Sequence, residues 1–514
     1  MSADKTSRKR TLDTFTRLGG NKILPDAEKA RQHFARTARD DVARIVKSHK
    51  AWIVTLARED VLETDNACRI LEALASVDFD HMVETYDVRF DKPILQVERY
   101  LVEQVGEHGS DVVAGRTLPP PLYRMKLREA ILPLIDATHE LREALLARAG
   151  EHAETVMPGY THSSHAQPMT YGHYLLGVHD AIARASRQVE AAYAATNRSD
   201  MGCGALAGTS FAVDRLLLAD LLGFDGIIEH SNDCVAATDF VIDLAAAVTN
   251  LFIPISRAAN EMGMWTMFEM DMLDIADSIA ATSSLMPQKK NATICEHLRF
   301  GLASVIGLYS EIATGAHSAP YGDTMDVMFI WRRAPAIAEK GAWGCRRMKT
   351  LVESLTPRPE TMLRLAREGF STAPELAAVL FREKGLAWRT AHAIVASVVR
   401  RLIEEGKTAS DITPAVLDEI SVAVTGETVG LPAGVLQSAI DPRAFVEAHA
   451  SRGGVAPQEV RRMLEERNRE LNGDRKRQQR RRQHLAEADA RLDAAVAALT
   501  GKEQAENEGD DSNG

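Results

Sequence analysis

The stretch Leu244-Ala-Ala-Ala-Val-Thr-Asn-Leu251-Phe-Ile-Pro-Ile-Ser-Arg-Ala-Ala-Asn-Glu-Met262 decides the fold class. Leu244, Val248, Leu251, Phe252, Ile255, Ala259 and Met262 recur at three- and four-residue intervals, the spacing of one helix face. Pro254 sits inside that stripe, so a kink or a new helix start is expected there. The same period marks 131–149, 171–195 and 299–313. Alternating β-branched runs bounded by turn residues are nearly absent. Long helices with wide apolar stripes, joined at glycines and prolines, describe an all-α protein built around an elongated bundle. Stripes this wide also suggest burial against other copies of the chain.

The chain has 514 residues, of which 45% are hydrophobic, enough for a large core and more than one domain. Its net charge of −11 speaks against nucleic acid as a partner, since phosphate binding needs a basic surface. Five scattered cysteines form no CxxC pair, which argues against a disulfide framework or a zinc site and fits a reducing cytoplasm. The basic N-terminus is followed by no apolar core of a signal peptide. No uninterrupted apolar run approaches the length needed to span a bilayer, so no membrane is expected. Boundaries are expected to give an N-terminal helical domain over 1–108, a central long-helix bundle over 109–360 and a C-terminal helical domain over 361–465. A tail over 466–514 carries the basic block Arg475-Lys-Arg-Gln-Gln-Arg-Arg-Arg482, read as a solvated helix face, and an acidic, disordered end.

Chemistry concentrates in Ser283-Ser-Leu-Met-Pro-Gln-Lys-Lys-Asn291. Elimination beside a carboxylate needs a base for a weakly acidic carbon-bound proton, then fixed donors for the developing charge. Lys289 brings a cation, Asn291 an amide and the loop its backbone N–H groups. A serine serves as base only where its alkoxide is stabilised by such neighbours.

This run closely resembles the signature loop of the fumarase/aspartase superfamily, in the form seen in argininosuccinate lyases. The resemblance implies Ser283 as base, with Gln288, Lys289 and Asn291 binding the substrate carboxylate. The family has glycine where this chain has Thr282, a change expected to restrict loop motion. Met157-Pro-Gly-Tyr-Thr-His-Ser-Ser-His-Ala-Gln-Pro168 carries the family's Thr-His pair at Thr161 and His162, implying substrate contact and proton handling. Glu296 matches the position that hydrogen-bonds this histidine and would fix its tautomer. The family continues with Leu-Gln-Arg where this chain has Ser163-Ser164-His165. Further likeness lies in Met201-Gly-Cys-Gly-Ala-Leu-Ala-Gly-Thr209, in 385–395 and in 441–454. Over roughly residues 30–465 the resemblance implies a three-domain, nearly all-helical subunit. It also implies a homotetramer whose sites are each shared by three chains, with no metal and no organic cofactor.

Elsewhere the chain leaves the family pattern. Gly-Arg-Ser-Arg-Asn-Asp-Gln becomes Gly115-Arg116-Thr117-Leu118-Pro119-Pro120-Pro121, so a bidentate cation and an amide give way to apolar residues. Arg116 and Thr117 stay as candidate substrate contacts. The third segment, Tyr321-Gly-Asp-Thr-Met-Asp-Val-Met-Phe329, keeps Tyr321 but lacks the family's glutamine and distal lysine. Groups for proton removal persist while those for the arginine half are missing, and that pattern points to a changed substrate. The reading is a carbon–nitrogen lyase that splits an N-succinyl-type amino compound into fumarate and an amine. One alternative is argininosuccinate lyase itself, compensated by residues such as Arg116 or Arg124. The other is a catalytically silent, crystallin-like scaffold.

Overall fold

A computed structural model describes residues 25–90, 92–117 and 121–501. The basic N-terminus, Asp91, Leu118–Pro120 and the acidic end lie outside the described residues.

The first region comprises α1 (Ala27–Thr37), α2 (Arg39–Arg58), α3 (Thr64–Ala75), α4 (Phe79–Glu84) and α5 (Pro93–Val105), then a 3-10 turn over Glu107–Val113. Pro93 opens α5 at its first turn, where the missing N–H costs nothing. Next come α6 (Leu122–Glu151), the hairpin β1 (Val156–Thr161) and β2 (Ser164–Thr170), and α7 (Tyr171–Thr196). Two short helices, α8 (Arg215–Leu221) and α9 (Asp233–Ala236), precede α10 (Asp239–Trp265). The strands β3 (Leu273–Ile275), β4 (Ala281–Thr282) and β5 (Lys290–Asn291) lead to α11 (Thr293–His317) and α12 (Met325–Ser354). β6 (Leu355–Pro357) and α13 (Pro359–Glu368) close the middle region. The last region holds α14 (Ala373–Lys384), α15 (Trp388–Glu404), α16 (Pro414–Thr425), α17 (Ala433–Ile440), α18 (Pro442–Ala448) and α19 (Pro457–Thr500).

The all-α expectation is met: α6, α7, α10, α11 and α12 pack along one another as the central bundle. Every member of the Leu244–Met262 stripe is fully buried there. By length and composition alone α10 would pass for a membrane span, yet its apolar face is the centre of this bundle. Pro254 starts no new helix, because α10 runs unbroken through it, as α6 runs through Pro133 and α12 through Pro335. Strand is scarce, as expected, but where it occurs it matters. Three two-stranded antiparallel sheets form, β1–β2, β3–β6 and β4–β5, and two of them carry candidate site residues. The strands of β3–β6 and β4–β5 are too short to show a period, while β1 and β2 are interrupted by Pro158, Gly159 and Pro168.

Among the described residues the two largest further hydrophobic cores lie outside the bundle. One gathers α1–α5 with Leu218–Phe224 and, from the far end of the chain, Leu492 and Ala495 of α19. The other lies among α14–α17. The basic block belongs to α19: Lys476, Arg477, Gln479, Arg480 and Arg482 are exposed, and several of its residues are also paired. Arg475 pairs with Glu143 at 2.7 Å, Arg481 with Glu190 and Arg482 with Asp136, while Gln478 is buried and donates to Leu132 O at 3.1 Å. Acidic residues on α6 and α7 face it, which linear sequence does not display.

Candidate active site

The Ser283–Asn291 loop is a small hairpin whose base is the β4–β5 ladder, Ala281 opposite Asn291 and Thr282 opposite Lys290. Thr282 occupies a strand position, where a β-branched residue is favoured. Lys290 holds the hairpin down: its ammonium lies 2.7 Å from Asp277, 3.2 Å from Asp274 and 3.2 Å from Ile275 O. The side-chain amide of Asn291 donates to Ala281 O at 3.1 Å, so its N–H also serves the hairpin. Gln288 and Lys289 are exposed, and the Lys289 ammonium makes no ion pair among the described residues. The two adjacent lysines thus part roles, one anchoring the loop and one presenting a cation.

The backbone amides of Leu285 and Met286 donate to the Ser283 hydroxyl oxygen at 3.3 and 3.0 Å. Two converging donors stabilise negative charge on that oxygen more than they stabilise the neutral hydroxyl, as a serine base requires. Below the loop, Glu296 stands exposed on the first turn of α11.

Thr161 and His162 lie at the exposed end of the β1–β2 hairpin. Thr161 pairs with Ser164, so His162 and Ser163 are the two turn residues, both with positive φ (53° and 62°). Such a turn matches the twist of its strands but favours glycine and asparagine, and neither is present. Backbone held this way costs free energy and clusters at functional sites. Within one chain His162 and Glu296 make no hydrogen bond, so the expected pairing is not formed there.

The third cluster joins four segments. Gly115 has φ +71°, and a Cβ on it would fall 2.2 Å from the Phe211 ring and 2.8 Å from the Thr209 hydroxyl; only glycine fits. Ser231 donates to Leu206 O at 2.7 Å, and the Tyr321 hydroxyl donates to Asp233. Segments near 115, 201–211, 231–233 and 321 therefore meet, with Thr117 half-buried beside them. Tyr321 is itself 69% exposed. The following residues, Met325 and Phe329, are about half exposed and present apolar surface.

Arg116 departs from the expectation of a substrate contact. Its guanidinium bonds His49 Nδ1 at 3.0 Å and lies over the Trp52 ring, and burial pulls its pKa down to about 10, so it remains a cation at neutral pH. Near it Glu98, almost fully buried, is pushed up to about 8 by loss of solvent, with Arg116 opposing. Arg124, the other cation able to compensate for the missing arginine grip, is also committed inward. It donates to Ala195 O at 3.0 Å, sits 3.8 Å from buried Asp200 and stacks 3.9 Å above Phe240. Sequence reading missed Asp233, Lys290 with its two aspartates, and the Glu98–Arg116–His49 group. No spacing rule signals them, since their partners come from distant segments.

Among the described residues no group of histidines, cysteines and acids is placed to hold a metal ion. The three clusters make no hydrogen bond or ion pair with one another within the chain, among the described residues.

Residues 119–307 match a lyase family model and 370–447 match the argininosuccinate lyase C-terminal model. The chain is 33% identical to argininosuccinate lyase of Methanosarcina barkeri over 82% of its own length and 86% of that protein. A structure of an EDDS lyase variant with bound fumarate superposes with a TM-score of 0.83 at 29% identity, covering 96% of this chain and 99% of that one. Class II fumarase from Schistosoma mansoni shares the fold, at TM-score 0.62 and 14% identity. A serine with two amide donors, a lysine beside it that makes no ion pair among the described residues and a strained His162–Ser163 turn are thus set on the matching scaffold. The chain belongs to the argininosuccinate lyase family of the fumarase/aspartase superfamily and is a fumarate-releasing carbon–nitrogen lyase.

Proposed function

We propose that this enzyme cleaves an N-substituted aspartate whose amine half is not the guanidine of argininosuccinate. The carrying observation is that the cations available to replace the missing grip are engaged within the chain: Arg124 is buried and bonded to Ala195 O, and half-buried Arg116 is bonded to His49. Apolar Met325 and Phe329 at the third segment support a less polar amine half. Likeness to an EDDS lyase variant with bound fumarate supports the same direction.

In this reading Ser283 removes the proton from the carbon beside a carboxylate. The charge spreads into that carboxylate, where Lys289 and loop amides stabilise it. Collapse of the carbanion breaks the C–N bond, giving fumarate and an amine that requires a proton, and Thr161 and His162 bind substrate and handle that proton. Assembly as a homotetramer, which family membership supports, would bring the three clusters of different copies together and let Glu296 of one copy reach His162 of another. The exposed apolar face of α11, with Phe300 77% exposed and a cavity of about 730 Å³ between Phe252, Phe300 and Trp343, suits burial against another copy.

The test is fumarate absorbance on mixing purified enzyme with argininosuccinate and with other N-succinyl amino compounds. Fumarate from another compound but not from argininosuccinate is the expected result. Robust turnover of argininosuccinate would instead establish the second reading, which the identity to named argininosuccinate lyases favours. No turnover in either direction, with Ser283→Ala indistinguishable from the native enzyme, would leave a silent scaffold.

A further inference from the structure

Tyr160 and His165 face each other on the last rung but one before the His162–Ser163 turn. The Tyr160 hydroxyl lies 3.3 Å from His165 Nε2, and the rings meet edge to face with centroids 5.1 Å apart. The ladder shifts register just below, between Pro158 and Tyr160, so this pair and Thr161–Ser164 alone frame the turn. Two non-glycine residues at positive φ persist only where the surroundings over-determine them.

The other side of the His165 ring rests against Gly369. A Cβ on Gly369 would fall 2.1 Å from His165 Nδ1 and 3.0 Å from Cγ, so any larger residue would push the His165 ring aside. Gly369 follows α13, and Phe370 beside it adopts φ +53°. Ser371 donates to Ala366 O at 2.6 Å and Thr372 to Ile440 O at 3.2 Å, tying the bend on both sides. This bend is where the chain leaves the central bundle for the α14–α17 core. Helix α13 packs on β1 and α18 on β2, so the hairpin is gripped by helices on either side of that core in the sequence. Burial lowers the pKa of His165, which keeps the ring neutral and able to share one hydrogen bond with Tyr160.

We propose that Tyr160 and His165 are positioning residues that lock the His162-bearing turn onto the Gly369–Phe370 bend, so that the setting of the C-terminal helices fixes where His162 points. The idea rests on the proposed role of His162 as a substrate-contacting, proton-handling residue. It concerns a place where the chain has His165 instead of the family's arginine.

The full chain is assayed for fumarate consumption with a panel of primary amines, and amide hydrogen exchange is followed by mass spectrometry over 156–170 and 369–372. His165→Ala and Gly369→Ala are each expected to lower kcat by about tenfold or more, with KM within about twofold, because a small displacement of a proton-handling group is costly. Both are expected to raise exchange in the two segments together. His165→Gln, whose amide can still reach the Tyr160 hydroxyl, should recover most of kcat. Exchange that rises only at the altered segment, or a His165→Gln variant no better than His165→Ala, overturns the proposal. Should Gly369→Ala fail to fold, His165→Ala and His165→Gln carry the same comparison. If the native enzyme consumes fumarate with no amine, the functional reading fails alone, and the exchange pattern still decides whether turn and bend are coupled.

Discussion

The amide of Met286 donates to the hydroxyl oxygen of Ser283 at 3.0 Å, joined by Leu285 at 3.3 Å. This arrangement favours the ionised serine without any side-chain base. Ser283→Ala should therefore remove turnover by a factor on the order of 10³, the usual worth of a positioned general base. The circular dichroism spectrum should stay unchanged, since Ser283 lies in a loop. Residual activity within about threefold of native would show that another group takes the proton.

Lys289 and Lys290 should separate by the kind of defect they cause. Lys289→Met is expected to lower kcat/KM by about 10²-fold, the cost of one charge-stabilising group, with exchange across 281–291 unchanged. Lys290→Met breaks the contacts to Asp274 and Asp277 and should raise that exchange, lowering kcat by about tenfold through misplacement of the loop. Identical defects in the two variants would contradict the division of roles.

Glu98 should impose a pH dependence on stability. Its ordinary pKa of 4.5 rises to about 8 in the fold because it is buried. Between those values the native protein keeps a proton that the unfolded chain releases, so stability falls as pH rises from about 4.5 to 8. The slope is at most ~1.4 kcal/mol per pH unit from this group. Glu98→Gln keeps the shape without the ionisation. It should raise the melting temperature relative to native protein at pH 8, and that gain should shrink at pH 5.5. An equal difference at both values would show that Glu98 is ionised in the fold.

Arg142 tests the attachment of α19. Its guanidinium is almost wholly buried and donates to Asp474 at 2.6 Å. Asp474→Asn leaves that cation without its counter-charge and should destabilise by about 2 kcal/mol, the range for hydrogen bonds to charged groups. The readout is a lower melting temperature with kcat nearly unchanged, because none of the proposed site residues lies on α19. Unchanged melting would show that the apolar contacts of Leu471, Leu492 and Ala495 hold the helix alone.

The sequence made the central bundle legible because helix periodicity is a local signal, and the Leu244–Met262 stripe is buried at every expected position. It also made the Ser283 loop legible, since so many polar groups in nine residues have no use in a core. Of the two outcomes expected at Pro254, a new helix start does not occur, since the helix continues through it. The β4–β5 hairpin is too short to show a period, and the β1–β2 hairpin carries prolines and a glycine that mask one.

Residue identity alone determined that a serine, a lysine, an amide and a histidine of the right kinds are present, and in what chain order. Only the tertiary structure decided which lysine makes no ion pair among the described residues, that Arg116 bonds His49 while Arg124 is buried, and that His162 sits on a strained turn whose neighbour His165 rests against Gly369. The physical reason is that partners such as Asp274, His49 and Gly369 reach these residues through packing. Desolvation and orientation are properties of that packing, and no spacing along the chain encodes them.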